Sequence, residues 1–221
     1  MKDLQAIRGR RYILDLIAEG EHERQDFKYS ITDACKIARS ISAFANRSGG
    51  RLLIGVKDNG TVAGVRNEED IYVVEQAAEM YCRPAQHVEF TAFRVDASAV
   101  VIRAEIARSA RRPVQARDAE GRWTAFYRVA DENIHAHPLM VAAWRRSHAA
   151  AGVVLAAGSS ECALLEHVAA AGEGGVEPEG VAAALGVSRA RAGALISRLA
   201  AIGLIDFRYA AGAFRLVAAE P

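Results

Sequence analysis

The sequence predicts an α+β protein in which a mixed-sheet domain precedes a smaller helical domain that ends in a β-hairpin. Three observations predict this class. Through residues 1–147, helical periodicity alternates with short apolar runs that follow one another closely enough to pair as strands. Residues 148–159 then shift to alanine, glycine and serine without an aromatic residue, which is typical of a linker. Residues 160–221 form the second predicted domain, with three helical segments and two closing strands.

The first domain opens with an amphipathic helix that carries apolar residues from Leu4 onward and ends at Gly20. Residues 25–29 are predicted as a short strand. Thr32 or Asp33 can cap a second helix, because a side-chain oxygen at this position accepts a hydrogen bond from the first helical turn.

Residues 51–65 are predicted to form a hairpin, because Asn59-Gly60 between two apolar runs is a strong signal for a two-residue turn. A third helix begins at Asn67, where the acidic residues that follow complement the positive end of the helix dipole. The remaining elements of this domain are strands at 88–95, 99–106 and 122–129 and a short helix at 138–146.

The second domain begins with a helix over residues 161–171. Pro178 starts a second helix, since proline is favoured at the first helical position. Ser188 caps a third helix, which ends at Gly203. The chain then closes with a hairpin formed by strands at 204–209 and 213–217.

The charge balance limits how this chain can attract a polyanion. Lys and Arg number 28 against 27 Asp and Glu, so the formal net charge is +1. Such a balance provides no long-range attraction to nucleic acid or to an anionic membrane. Binding to either therefore has to come from local basic patches.

Several features predict a cytoplasmic protein that does not enter a membrane. Cys35, Cys82 and Cys162 are odd in number and far apart, which favours buried thiols in a reducing compartment over a disulfide framework. The N-terminal segment alternates charged and apolar residues and is unlike a signal peptide. The longest apolar run, residues 149–157, is too short to span a bilayer.

The junction between the second and third helices of the second domain, Leu185-Gly-Val-Ser-Arg189, resembles that of winged-helix DNA-binding domains. In that family the third helix enters the major groove and the hairpin contacts the backbone. The alternative is a winged helix that binds protein, which is favoured by five glutamates that leave this domain without net positive charge. The DNA-binding resemblance implies contacts from Ser188, Arg189, Arg191, Arg198 and Arg208.

Four segments of the first domain stand in a recognisable order. They are EHERQDFK at 21–28, AFAN at 43–46, GGRLLIGVKDNG at 49–60 and FYRV at 126–129. The series resembles the Schlafen/AlbA-type domain over about residues 10–146. That family includes nucleases and DNA-binding regulators, so the resemblance implies a domain that acts on or binds nucleic acid. The glycine pair at 49–50 lacks the Lys-Ser/Thr of a P-loop and indicates a tight turn rather than a nucleotide site.

The resemblance implies a metal-dependent, RNA-cleaving site formed by Glu21, Asp26 and Asp58. Carboxylate oxygens suit Mg²⁺ or Mn²⁺, and such an ion polarises a phosphate and activates water. Asp26 stands where the family usually has glutamate, so its reach toward a metal is one methylene shorter. The alternatives are a solvated loop acid for Glu21 and a turn-forming side chain for Asp58.

Basic residues near these acids are candidates for phosphate contacts. Lys28 lies two residues from Asp26 on a predicted strand and therefore shares its face. Arg111 and Arg112 lie in the most basic stretch of the chain, residues 103–128, next to aromatic residues that can stack on bases. Arg128 falls in the FYRV segment of the family. The alternative is a solvated strand edge beside core aromatics.

We expect a nucleic-acid-binding protein, specifically a DNA-binding transcriptional regulator without a resident cofactor. RNA is the second candidate partner, and a homodimer is the oligomeric state that two-fold operators favour. The alternative from a different class is a Schlafen-like endoribonuclease that uses the carboxylate trio and Mg²⁺ or Mn²⁺. A third hypothesis is an interaction module with no nucleic-acid partner.

Overall fold

The structure is a computed structural model that describes residues 4–66, 69–147 and 159–219. It divides into two compact units, unit 1 up to His135 and unit 2 from Ala136 onward. The expected linker lies outside the described residues over 148–158, as do Asn67 and Glu68 at the expected start of the third helix. The unit boundary precedes the domain boundary expected at residue 147, because the helix at Pro138–Ser147 packs against the helix at Arg189–Ala201.

Unit 1 combines helices with strands, as the sequence predicts, and the strands form two sheets. Its elements are β1 Ile7–Arg8, α1 Arg10–Ala18, β2 Gln25–Lys28, α2 Ala34–Asn46, β3 Gly50–Ile54, α3 Glu69–Met80, β4 Cys82–Arg83, β5 Val88–Arg94, β6 Val100–Ile106, β7 Gln115–Arg117, β8 Trp123–Val129 and β9 Glu132–His135.

The larger sheet is mixed and has the strand order β1-β5-β6-β3-β2. The β1–β5 and β2–β3 pairs are parallel, whereas β3–β6 and β5–β6 are antiparallel. A second, antiparallel sheet has the order β4-β7-β8-β9. This arrangement confirms the α+β class with a mixed sheet.

Helix α2 is the central element of unit 1, since it contacts strands of both sheets and α3. Asp33 caps it by accepting a hydrogen bond from the Lys36 amide at 3.1 Å, as the sequence predicts. Ile37, Ile41 and Phe44 lie on its buried face at helical spacing. Nearly all of the helix from Ile37 onward is buried, so its polar residues have to be bonded inside the unit.

Asn46 shows how that requirement is met at the end of α2. Its amide nitrogen donates to the Val114 carbonyl at 2.8 Å and to the Phe126 carbonyl at 2.9 Å. Its amide oxygen accepts from the Val114 backbone at 2.8 Å. Ser42, one turn earlier, donates to the Val114 carbonyl and accepts from the Phe126 amide. These bonds join α2 to β8 and to the segment before β7.

The hairpin predicted at 51–65 forms only at its turn. Strand β3 ends at Ile54, and an isolated bridge joins Val56 to Val62 in place of a return strand. Both edges of β3 are already paired, with β2 on one side and β6 on the other, so no edge is left for a hairpin partner. The turn itself forms, because the Gly60 amide donates to the Lys57 carbonyl at 2.8 Å.

The glycine pair before β3 serves the backbone, as predicted. Gly49 has φ +73°, and a Cβ there would lie 2.8 Å from the Ile106 carbonyl oxygen. A Cβ at Gly50 would lie 2.3 Å from the ring of Phe44. Both positions therefore exclude a side chain for packing reasons.

Two further differences come from long-range pairing. The first helix begins at Arg10 rather than near Leu4, because Ile7 and Arg8 pair with Phe93 and Arg94 of β5. Strands β7 and β9 were also not predicted from the sequence. Both are short and depend on β8 for their hydrogen bonds.

Unit 2 contains the helices and strands in the predicted order. Its core includes Leu164, Val181, Leu195 and Leu216, all nearly inaccessible to solvent. Short 3₁₀ turns at 172–174 and 178–180 separate the first two helices of the predicted second domain. The elements are α4 Pro138–Ser147, α5 Ser160–Ala171, α6 Val181–Ala184, α7 Arg189–Ala201, β10 Ile205–Ala210 and β11 Ala213–Ala218.

The prediction of buried thiols is confirmed for Cys82 alone, since Cys35 and Cys162 are only partly buried. Burial raises the pKa of the Cys82 thiol to about 12. Among the helices that the structure describes, none combines the length and the apolar character needed to cross a membrane.

Candidate nucleic-acid interface

The first candidate site lies along β2 in unit 1. Asp26 and Lys28 lie two residues apart on the strand and therefore share one face, as predicted. The Lys28 Nζ lies 2.6 Å from the Asp26 Oδ2 and also donates to the Phe27 carbonyl at 2.8 Å. Glu21, before the strand, accepts a hydrogen bond from the Phe27 amide at 2.8 Å. The two acids and the lysine are thus neighbours in space.

Arg128 reaches the same cluster from β8 and is only 1% exposed. Its guanidinium donates to the Asp26 Oδ1 and to the Gln25 carbonyl, both at 3.2 Å, and to the Asn133 Oδ1 at 3.0 Å. The guanidinium carbon lies 5.0 Å from the centre of the Phe44 ring. This corrects the expectation that Arg128 contacts nucleic acid, because acceptors inside unit 1 hold the guanidinium.

The electrostatics of Glu21 reflect its surroundings. Burial raises its pKa above the ordinary range, and the neighbouring Asp26 carboxylate raises it further. The hydrogen bond from the Phe27 amide and the charge of Lys28 act in the opposite direction. Glu21 therefore holds a proton more readily than a solvated glutamate does.

The three acids predicted to bind a metal do not come together. Asp58 lies in the exposed turn after β3. Within residues 4–66, 69–147 and 159–219, no group of three or more His, Cys, Asp or Glu side chains is arranged to hold a metal ion. Asp26 is already neutralised by Lys28 and Arg128. Glu21, Asp26 and Asp58 consequently do not fit Mg²⁺ or Mn²⁺ in this structure.

A cleft of about 630 Å³ opens beside this cluster, between β2, α2 and the β8–β9 turn. Basic and acidic side chains both line it, so the cleft presents no uniformly positive surface to a polyanion. The charged residues that line it beyond Asp26 and Lys28 include Asp33, Lys36, Arg39, Asp131 and Glu132.

The basic stretch at 103–128 is largely bonded within unit 1. Arg103 pairs with Glu105 at 2.9 Å, and Arg122 pairs with Asp118 at 2.7 Å. Arg112 lies half-buried, and its guanidinium donates to the Asn46 carbonyl at 3.2 Å. Arg111 is exposed and remains a candidate contact. Arg108 and Arg117 are exposed as well, so the stretch contains both arginines bonded within unit 1 and arginines open to solvent.

The second candidate site is the N-terminal end of α7 in unit 2. Ser188 caps the helix by accepting a hydrogen bond from the Arg191 amide at 3.2 Å. Arg189 and Arg191 are exposed. The opposite stripe of α7 is buried in the core of unit 2 through Ala192, Leu195, Ile196 and Leu199. The helix thus packs by one stripe and presents arginines from its first turn.

The other two predicted arginines of unit 2 differ in availability. Arg198 lies 2.9 Å from the Oε1 of Glu161, a glutamate whose side chain is 8% exposed. Arg208 is exposed on β10, in register with Arg215 of β11. Arg198 is thus committed in part to a buried acid, whereas Arg208 projects from the hairpin.

Arg146 is a candidate that sequence reasoning missed. It is exposed on α4, and its Nη1 lies 3.5 Å from the Ala194 carbonyl oxygen of α7. The sequence shows a pair of arginines at the end of a predicted helix. That helix was assigned to the first domain, so nothing in the pattern connected Arg146 with α7.

Comparisons with known proteins place the first part of the chain in a family. A family model described as Schlafen, AlbA_2 matches residues 21–137. No curated protein sequence gives a significant match to the chain.

Two solved structures are similar to it. The DIP2311 protein from Corynebacterium diphtheriae has 21% identity over 94% of this chain, with a TM-score of 0.45, and this chain spans 37% of its length. The N-terminal domain of an ATP-dependent DNA helicase RecG-related protein from Nitrosomonas europaea has 18% identity and a TM-score of 0.40. That match covers 69% of this chain and 98% of the domain. Since the family model matches more than half of the chain, the protein belongs to the Schlafen, AlbA_2 family.

Proposed function

We propose that this chain is a nucleic-acid-binding protein, and specifically a DNA-binding transcriptional regulator whose unit 2 acts as a winged helix. The first turn of α7 carries the proposal. Arg189 and Arg191 project from it into solvent while the opposite stripe of the helix is buried. Exposed arginines at a helix N-terminus suit phosphate oxygens and guanine edges.

The rest of unit 2 supports this function. Three helices precede the β10–β11 hairpin, an order typical of winged helices, and Arg208 is exposed on the hairpin that corresponds to the wing. Membership of the Schlafen, AlbA_2 family supports a nucleic-acid role for unit 1. The proposal includes a cytoplasmic location and a homodimer, and RNA is the second candidate partner.

The endoribonuclease alternative has less support. It requires Glu21, Asp26 and Asp58 to share a metal ion, whereas no three such side chains of the described residues are arranged to hold one, and Asp58 lies in an exposed turn. The charges of Lys28 and Arg128 already compensate the Asp26 carboxylate, which disfavours its use as a metal ligand. We therefore propose binding rather than cleavage.

The test measures binding of a dye-labelled DNA duplex by fluorescence anisotropy between about 50 and 200 mM salt. The Arg189→Ala/Arg191→Ala double variant should bind more weakly than wild type. The slope of log affinity against log salt should fall by about 1.8, because each lost phosphate contact contributes about 0.9.

Arg10→Ala/Arg11→Ala is the matched control, because both arginines are exposed on α1 of unit 1 and lie outside the basic stretch at 103–128. It should leave the salt slope unchanged. If wild type does not bind the duplex at about 50 mM salt, or binds without salt dependence, the proposal is wrong.

A further inference from the structure

Helix α7 is buried on a second face, and α4 is the element that covers it. Gly193 and Ser197 lie four residues apart on this face, and Ser197 is 2% exposed. A Cβ at Gly193 would lie 3.2 Å from the Leu139 Cδ2 of α4. Small residues on α7 therefore allow α4 to pack closely against it.

The close packing places Arg146 on the exposed face of α7. Arg191, Ala194 and Arg198 share that face, because residues at i, i+3 and i+7 line up along a helix. The Arg146 Nη1 lies 3.5 Å from the Ala194 carbonyl oxygen, between the two α7 arginines along the helix. A guanidinium from α4 thus joins the surface that α7 presents.

The width of the helix pair limits how α7 can approach DNA. Two packed helices are about 8 Å apart and each is about 10 Å in diameter, so the pair spans about 18 Å. The major groove is about 12 Å wide. With α4 in place, α7 cannot lie in the groove along its full length. Its first turn, which carries Arg189 and Arg191, extends beyond the Gly193 contact and can still enter.

We propose that α4 and α7 form one DNA-binding surface in which Arg146 contacts a phosphate beside the groove that the first turn of α7 enters. This inference rests on the function proposed for unit 2. It assigns α4 to the binding surface and Arg146 to the DNA backbone. Arg146 therefore contributes affinity that is independent of DNA sequence.

Arg146→Ala in the full chain tests the inference in the same anisotropy assay. The ratio of the Kd at 200 mM salt to that at 50 mM salt should fall by about 3.5-fold, the effect of losing one phosphate contact over a four-fold change in salt. Duplexes of unrelated sequence should show the same change. Arg145→Ala is the matched control, because it removes the same charge from the neighbouring exposed position of α4, and it should have a smaller effect.

Gly193→Gln tests whether α4 strengthens or obstructs DNA binding, because the two cases predict changes in affinity of opposite sign. The longer side chain displaces Leu139 and with it α4, while glutamine favours the helix more than glycine does. Weaker DNA binding than wild type is expected. Tighter binding would overturn the inference, since α4 would then act as an obstruction to α7.

The two proposals fail in different ways. If wild type binds DNA and loses affinity on Arg189→Ala/Arg191→Ala but not on Arg146→Ala, the inference about α4 is wrong and the proposed function stands. If wild type does not bind DNA, both are wrong.

Discussion

Each unit buries a carboxylate against an arginine, and the two pairs differ in how much solvent reaches the arginine. In unit 1, Asp26 and Arg128 have side chains 7% and 1% exposed. In unit 2, Glu161 is similarly buried at 8%, but its partner Arg198 is 46% exposed. The two acids are buried to a similar extent, so the pairs differ in the solvent exposure of the arginine.

The comparison shows how one residue type serves packing in one unit and stays accessible to solvent in the other. Solvent does not reach a fully buried guanidinium, so its attraction to its acceptors is strong and only weakly screened. Such a guanidinium is not accessible to a ligand. A half-exposed guanidinium interacts more weakly, because water screens the pair. Unit 1 uses Arg128 to join β8 to β2, whereas unit 2 keeps Arg189 and Arg191 in solvent.

The largest expected effect comes from Arg128→Met, which keeps an apolar side chain over Phe44 and removes the charge. It leaves the buried Asp26 carboxylate with Lys28 alone. We expect the free energy of unfolding of unit 1 to fall by about 3 kcal/mol, the lower end of the range for breaking a buried ion pair from one side, because Lys28 still compensates part of the Asp26 charge. Urea unfolding followed by circular dichroism measures it.

Arg117→Met is the control for this change, because Arg117 is exposed on β7 of the same unit. It should alter the free energy of unfolding by less than about 0.5 kcal/mol. Adding Asp26→Asn to Arg128→Met should recover part of the lost stability, since no buried carboxylate then depends on Lys28 alone for its compensation. A loss below about 1 kcal/mol for Arg128→Met would show that the pair does not hold β8 to β2.

A smaller loss is expected for Arg198→Met in unit 2. The Glu161 carboxylate is left without its arginine, but solvent already screens half of the partner's side chain. We expect the free energy of unfolding of unit 2 to fall by about 1 kcal/mol. Urea unfolding of this variant should be compared with Arg191→Met, an exposed arginine on the same helix. Equal losses of unfolding free energy for Arg198→Met and Arg128→Met would show that the solvent exposure of the arginine does not distinguish the two pairs.

Local signals explain why some elements could be predicted from the sequence. Asp33 and Ser188 mark the starts of α2 and α7, because the capping bond involves residues only three apart. The hairpin predicted at 51–65 failed for the opposite reason. The Asn-Gly turn forms locally, but β2 and β6 compete for the edges of β3 and lie far away in sequence.

The candidate site likewise has features that local sequence signals predict and features that depend on the complete fold. The shared face of Asp26 and Lys28 follows from the two-residue period of a strand and was predicted. The burial of Arg128 was not, because its partner Asp26 lies 102 residues away and the contact depends on the complete fold. Arg146 was missed because its relation to Ala194 requires the packing of α4 on α7.

The smallest expected effect concerns the pH dependence of unit 1 and separates two acids with opposite shifts. The pKa of Glu21 is raised by burial and by Asp26, so the folded state prefers the protonated form. Wild type should therefore lose stability relative to Glu21→Gln as the pH rises above about 4.3, the pKa of an unfolded glutamate, until Glu21 is ionised in the folded state. Urea unfolding at a series of pH values measures this difference.

Asp118 provides the opposite case in the same unit. Its pKa is lowered, chiefly by the hydrogen bond from the Arg122 side chain, so the folded state prefers the carboxylate. Relative to Asp118→Asn, wild type should gain stability as the pH rises toward about 3.9, the pKa of an unfolded aspartate, and keep that gain at neutral pH. The two difference curves should slope in opposite directions because desolvation dominates at Glu21 and an arginine dominates at Asp118. If both slope the same way, the charges around Glu21 rather than its burial govern the acidic cluster on β2.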